Sequence, residues 1–157
     1  MNYSYLNETL DVPTDENIAR WIHANADGMS IESFGVQSTN DQGVALDADR
    51  NAHRWRKFRF EAAHQLPNVP EGHKCGRMHG HGFEVNLHIQ QSLSTSEDMG
   101  LDFDEILVRW QPIQDQLHRA CLNNIEGLEN PTSEMIGAWI WEKLKPELPT
   151  LSWVTVY

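Results

Sequence analysis

Five of the eight histidines lie between His64 and His88, and this clustering constrains the fold more than any other feature. His79-Gly80-His81 places two imidazoles two residues apart. On an extended chain such residues project to one face, so both rings can reach a single ion. The stretch from His81 to Gln90 is extended by its own pattern. Phe83, Val85, Leu87 and Ile89 alternate with Glu84, Asn86, His88 and Gln90, as in a half-buried strand. Phe58 to Ala63 alternates too and ends at His64, and a Pro- and Gly-containing loop from Pro67 to Gly76 can close the hairpin. His64, His79 and His81 would then meet. Three neutral imidazoles with a fourth position open make a catalytic zinc site, whereas a structural site is closed by a fourth protein ligand. An HxH pair with one distant histidine is weak evidence taken alone, so the spacing leaves a metal-free reading open.

The rest of the chain reads as alternating short elements. Residues 15–25 form a helix capped by Thr14, with Ile18, Trp21 and Ile22 as its apolar stripe. Strands are expected at Ile31 to Val36, Gly43 to Leu46 and Ser152 to Tyr157, and residues 47–57, polar and basic, read as a connector. Asp102 can cap a helix with Ile106, Trp110, Ile113 and Leu117 inward and a kink at Pro112, and Thr132 another with Ile136, Trp139, Ile140 and Leu144 inward.

The formal net charge is −11, which disfavours nucleic acid and anionic membranes as partners, since phosphate contacts need clustered Lys and Arg. A phosphorylated small molecule needs only a few local cations. No apolar run approaches the roughly 20 residues that span a bilayer. The first residues carry no signal-peptide pattern, and Cys75 and Cys121 form no CxxC pair, so a cytoplasmic protein without disulfides is expected.

Two segments echo each other. Leu6-Asn7, Pro13-Thr14-Asp15-Glu16 and Trp21-Ile22 match Leu122-Asn123, Pro131-Thr132-Ser133-Glu134 and Trp139-Ile140, in the same order. Any capped amphipathic helix can look like this, but three blocks in order favour duplication. Residues 1–50 would then be the back half of one unit and residues 58–157 most of a second.

Phe58-Arg-Phe-Glu-Ala-Ala-His64, with Pro70-Glu-Gly-His-Lys-Cys75-Gly-Arg-Met-His79-Gly-His81, resembles the 6-pyruvoyltetrahydropterin synthase family, and within it the 6-carboxytetrahydropterin synthases. Leu101-Asp102-Phe103 and Gly127 to Glu134 with Trp139-Ile140-Trp141 continue the likeness in order. The resemblance implies that His64, His79 and His81 hold a zinc ion (Zn2+), that Cys75 is catalytic, and that Thr132 and Ser133 lie near a pterin. It implies an α+β fold, an antiparallel four-stranded sheet with two helices on one face (the tunnelling fold), completed to a barrel in a homo-oligomer, a trimer or hexamer. The implied reaction converts 7,8-dihydroneopterin triphosphate to 6-carboxytetrahydropterin, acetaldehyde and triphosphate, towards the queuosine precursor. Zinc would polarise the substrate's side-chain oxygens, and a thiolate, favoured by Lys74 and Arg77, would move protons.

Two departures stand out against this family. Where it carries an Asp-His pair before x-x-Leu-Asn, this chain has His118 and Arg119. His118 can titrate, but Arg119 stays protonated and cannot be a base. The Glu that grips the pterin would fall just after Tyr157, and in the first segment Ser38 takes its place. Three readings remain open: a working synthase with His118 assisting Cys75, a catalytically impaired zinc- and pterin-binding relative, and a structural zinc module.

Overall fold

The computed structural model describes residues 5–26, 34–47, 49, 51–91 and 101–157. Alternation builds its centre. Strands β3 (Ala52–His64) and β4 (His79–Gln91) pair antiparallel in unbroken register down to His64 opposite His79. One face of this ribbon presents Phe58, Phe60, Ala62, Phe83, Val85, Leu87 and Ile89, all buried. Strands β1 (Phe34–Thr39), β2 (Gln42–Leu46) and β5 (Leu151–Val156) complete a sheet of order β1-β2-β3-β4-β5, every neighbour antiparallel.

Helices α1 (Asp15–Ala24), α2 (Phe103–Leu117) and α3 (Ser133–Leu144) pack on that apolar face. The two stripes expected for α2 and α3 are buried as read, and Phe58 stacks on Trp110 with ring centroids 4.8 Å apart. Each such side chain contributes about 1.5–3 kcal/mol by leaving water. Thr14, Asp102 and Thr132 cap their helices through bonds from Asn17, Asp104 and Met135 N–H. Helix α2 runs through Pro112; Pro112 and Val108, whose carbonyl loses its usual donor there, both lie on the exposed side. No helix among the described residues is long and apolar enough to cross a membrane.

Four expectations change. Among the described residues the sheet has five strands and is covered by three helices, because β1, β2 and α1 join the same layers instead of standing apart. Residues 52–57 are not a connector; they are the first half of β3, paired with β2 on one side and β4 on the other. Their alternation was masked because Arg54 and Arg56 occupy inward positions. Arg54 is buried against the Glu16 carboxylate, and Arg56 donates to the Phe103 carbonyl. That ion pair also rotates α1: its buried residues are Glu16, Asn17 and Ala19, while Ile18 and Trp21 are half-buried and Ile22 is exposed. The strand expected at Ile31 to Val36 appears as Phe34–Thr39, with residues 31–33 outside the described set.

Candidate metal centre

The hairpin register delivers the three histidines. His64 and His79 face each other across β3 and β4, and His81 sits one inward position further along β4. All three point to the helix-covered side, above Phe83, whose ring lies 5.4 Å from His64 and 4.2 Å from His81. His64 is buried, His79 half-buried and His81 exposed, so the cluster opens outward. One nitrogen from each ring lies within 4.8 Å of the others.

The other ring nitrogens are spoken for. His64 Nδ1 meets the Pro131 carbonyl at 2.9 Å, His79 Nδ1 the Arg77 carbonyl at 2.8 Å and His81 Nδ1 the Gly82 carbonyl at 3.0 Å. A carbonyl can only accept, so each Nδ1 carries the proton and each Nε2 keeps its lone pair. The Nε2 atoms of His64 and His81 then stand 3.1 Å apart, two acceptors facing each other. A shared cation would resolve that repulsion. Two imidazoles bound tetrahedrally at ~2.0–2.1 Å have nitrogens roughly 3.3 Å apart, close to this spacing. Burial, followed by the fields of His79 and His81, lowers the His64 pKa and favours the neutral, ligating form. The donor set therefore fits a zinc ion with one side left open, and backbone carbonyls orient its ligands. Gly80 and Gly82 face the opposite side of the sheet; a Cβ on Gly82 would meet no heavy atom within 4 Å, and one on Gly80 would meet the Ala62 carbonyl oxygen at 3.4 Å.

Cys75 stands in a one-turn 3-10 segment, Lys74–Gly76, and is half-buried. His73 caps the turn by accepting from Cys75 N–H at 3.1 Å. The Cys75 carbonyl accepts from Leu66 N–H at 2.8 Å, which ties the loop to the chain two residues past His64. That bond fixes the Cys75 backbone, and the thiol is not one of the converging donors. Thr132 and Ser133 begin α3 directly after Pro131, the residue that orients His64. Thr132 caps the helix and Ser133 is exposed.

Sequence reasoning missed the carbonyls of Pro131 and Arg77, since side-chain patterns do not reveal backbone acceptors. It also passed over Asn123, whose amide accepts from Gln65 N–H and donates to the Gln65 and Glu129 carbonyls. Asn123 ties the end of β3 to the turn before Pro131, and its repeated place after Leu122 was the available signal.

His118 and Arg119 come alongside β3. Arg119 N–H donates to the Glu61 carbonyl and Ala63 N–H to the Ala120 carbonyl, so this segment extends the sheet edge beyond β2. His118 Nδ1 accepts from Glu61 N–H at 3.2 Å, and its ring lines a groove with Arg59, Glu61, Gly82, Glu84 and Tyr157. None of the three clustered histidines lines that groove. Arg119 lines the adjoining one with His81, Gly80 and Gly82. Cys121 contacts Met78 sulfur to sulfur at 3.9 Å.

Comparisons with known proteins point to one family. The family profile described as 6-pyruvoyl tetrahydropterin synthase matches residues 54–157. A Synechocystis protein named 6-carboxy-5,6,7,8-tetrahydropterin synthase is 40% identical over 96 residues, which cover 58% of this chain and 73% of that protein. A protein of Archaeoglobus fulgidus is 35% identical over 86 residues, 54% of this chain and 69% of the relative. Among solved structures, 6-pyruvoyl tetrahydropterin synthase of Caenorhabditis elegans superposes with a TM-score of 0.60 at 21% identity, covering 67% of this chain and 86% of that one. At that identity the superposition speaks for the fold.

Proposed function

The chain belongs to the 6-pyruvoyl tetrahydropterin synthase family, and from that premise we propose that it is a zinc-dependent 6-carboxytetrahydropterin synthase. The observation that carries the reading is the set of three Nε2 lone pairs converging while each Nδ1 is fixed on a carbonyl. The substrate is 7,8-dihydroneopterin triphosphate, and the products are 6-carboxytetrahydropterin, acetaldehyde and triphosphate. Zinc, when bound, supplies a Lewis acid that makes neighbouring C–H bonds more acidic. The chain's own residues do the rest. His64, His79 and His81 hold the ion, Cys75 moves protons at the substrate carbons, and Thr132 and Ser133 contact the pterin from the start of α3. In the same reading residues 58–157 are the synthase unit, residues 1–50 are a partial repeat, and the protein works in the cytoplasm as a trimer or hexamer.

One observation favours a second reading, a relative that binds zinc and pterin with impaired catalysis. His118 spends its Nδ1 lone pair on Glu61 N–H, and Arg119 next to it is no base. The deciding measurement is product formation from dihydroneopterin triphosphate by the zinc-loaded protein. Wild type should turn over, and Cys75→Ala should lose about 10²–10⁴-fold while keeping its zinc. A silent wild type with full zinc would favour the impaired relative.

A further inference from the structure

The three clustered histidines are oriented in two different ways. His79 and His81 take their acceptors from adjoining chain, the Arg77 carbonyl two residues before and the Gly82 carbonyl one residue after. His64 takes the Pro131 carbonyl, 67 residues away. Its orientation therefore depends on what holds that turn against the end of β3.

A seam of bonds does so, and its last rung is a side chain. Arg119 N–H donates to the Glu61 carbonyl and Ala63 N–H to the Ala120 carbonyl, so the segment after α2 runs beside β3. At Leu122–Asn124 the backbone enters a 3-10 turn and leaves the strand. There the Asn123 side chain takes over. A primary amide carries one acceptor oxygen and two N–H donors, so it can stand in for a peptide group and still hold a third partner. Asn123 Oδ1 accepts from Gln65 N–H at 2.9 Å, while Nδ2 donates to the Gln65 carbonyl at 2.8 Å and to the Glu129 carbonyl at 3.1 Å. Gln65 follows His64, and Glu129 stands two residues before Pro131. The amide thus fixes the ring and its acceptor relative to each other. Other bonds shape the turn itself: Glu129 Oε1 accepts from Gly127 N–H, and the Trp139 indole donates to the Glu126 carbonyl. Asn123 is what joins the turn to β3.

We propose that Asn123 is a positioning residue of the metal centre: by locking the turn before Pro131 onto Gln65, it fixes the Nδ1–H form of His64 and so sets the affinity for the ion. This rests on the reading of the histidine cluster as a zinc site. The hydrogen bond on one ring nitrogen decides which nitrogen is left to ligate, and groups behind a ligand typically change metal affinity about 10–100-fold.

The test uses the full chain and two readouts. Ring-nitrogen chemical shifts of the metal-free protein, at alkaline pH where the rings are neutral, report each tautomer. Competition with a chelator gives zinc affinity, and the cobalt(II) absorption spectrum reports ligand geometry. Asn123→Ala should let His64 populate its Nε2–H form, leave His79 and His81 as in wild type, weaken zinc binding about 10–100-fold and alter the cobalt spectrum. Asn123→Asp has the same size and keeps the acceptor for Gln65 N–H, but it turns a carboxylate towards two carbonyls. It should weaken zinc binding as well, and it carries the test if the alanine variant does not fold. Asn7→Ala, at the matching exposed place in the first segment, and Trp21→Ala, which loosens α1, should change neither readout. An unchanged His64 tautomer, wild-type zinc affinity in the Asn123 variants, or an equal loss of affinity in Trp21→Ala overturns the proposal. If the His64 tautomer depends on Asn123 but wild type binds no zinc, the positioning of His64 stands and the zinc reading fails.

Discussion

The segment from Leu6 to Thr39 and the segment from Leu122 to Val156 are built to one plan and packed to different ends. Each opens with a single 3-10 turn, Leu6–Glu8 and Leu122–Asn124. A helix follows, capped by Thr14 at φ −73°, ψ 160° in one and by Thr132 at φ −72°, ψ 163° in the other. A strand then lies under the helix, β1 or β5. The difference is in what the helix buries. Helix α3 turns Ile136, Trp139 and Ile140 into the main core. Helix α1 leaves the matching Ile18, Trp21 and Ile22 half-buried or exposed and buries Glu16 against Arg54. Local sequence thus sets the cap and the helix, while the partner surface chooses the face. Where β3 offers an arginine, a carboxylate goes inward.

The first way to sharpen this comparison is chemical. Among the described residues, the three clustered histidines lie on β3 and β4, beside the α3 segment and not the α1 segment. If the cluster holds zinc as proposed, His79→Ala should empty most of it, because two imidazoles hold the ion poorly. Metal analysis with circular dichroism checks this, and full occupancy in a folded variant would break the assignment. A disruption of α1 should leave zinc content as it is.

Next come the two tryptophans at equivalent places. Trp139 is 5% exposed and its indole N–H donates to the Glu126 carbonyl. Trp139→Ala should cost about 3–5 kcal/mol in urea unfolding. Trp21→Ala should cost clearly less, since its ring is only half-buried. Equal losses would mean that the two helices pack alike after all.

The two glutamates invert that order. Glu16→Ala strands Arg54 in the interior and should destabilise by about 3–5 kcal/mol. Glu134, exposed at the matching place, should be replaceable by Ala with little change in Tm. If Glu16→Ala is as mild, the buried pair does not anchor α1.

The smallest effect concerns pH. His88, on the sheet face that the helices do not cover, has its pKa lowered, first by burial and then by the field of His53. A lowered histidine pKa means that the unfolded chain takes up protons first as pH falls below about 6.5. The contribution is thus intact above that pH and lost as pH drops towards the folded value. Metal-free protein should lose Tm between pH 7 and 5, and His88→Gln should flatten the slope. An unchanged slope would assign the effect to His64, whose pKa is also lowered.

Sequence alone determined the parts whose physics is local. Alternation marked β4 and the second half of β3, side-chain chemistry marked three helix caps, and two-residue spacing put His79 and His81 on one face. Those features depend on a few adjacent residues, and the structure repeats them. It could not reveal that residues 52–57 belong to β3, because Arg54 and Arg56 look like surface until Glu16 and the Phe103 carbonyl are brought to them from far along the chain. Nor could it find the carbonyls of Pro131 and Arg77 that set the histidine tautomers, or the bond from Arg119 N–H to the Glu61 carbonyl. Each of these is a contact between distant segments, and a contact of that kind exists only once the sheet has closed and the helices have covered one face of it.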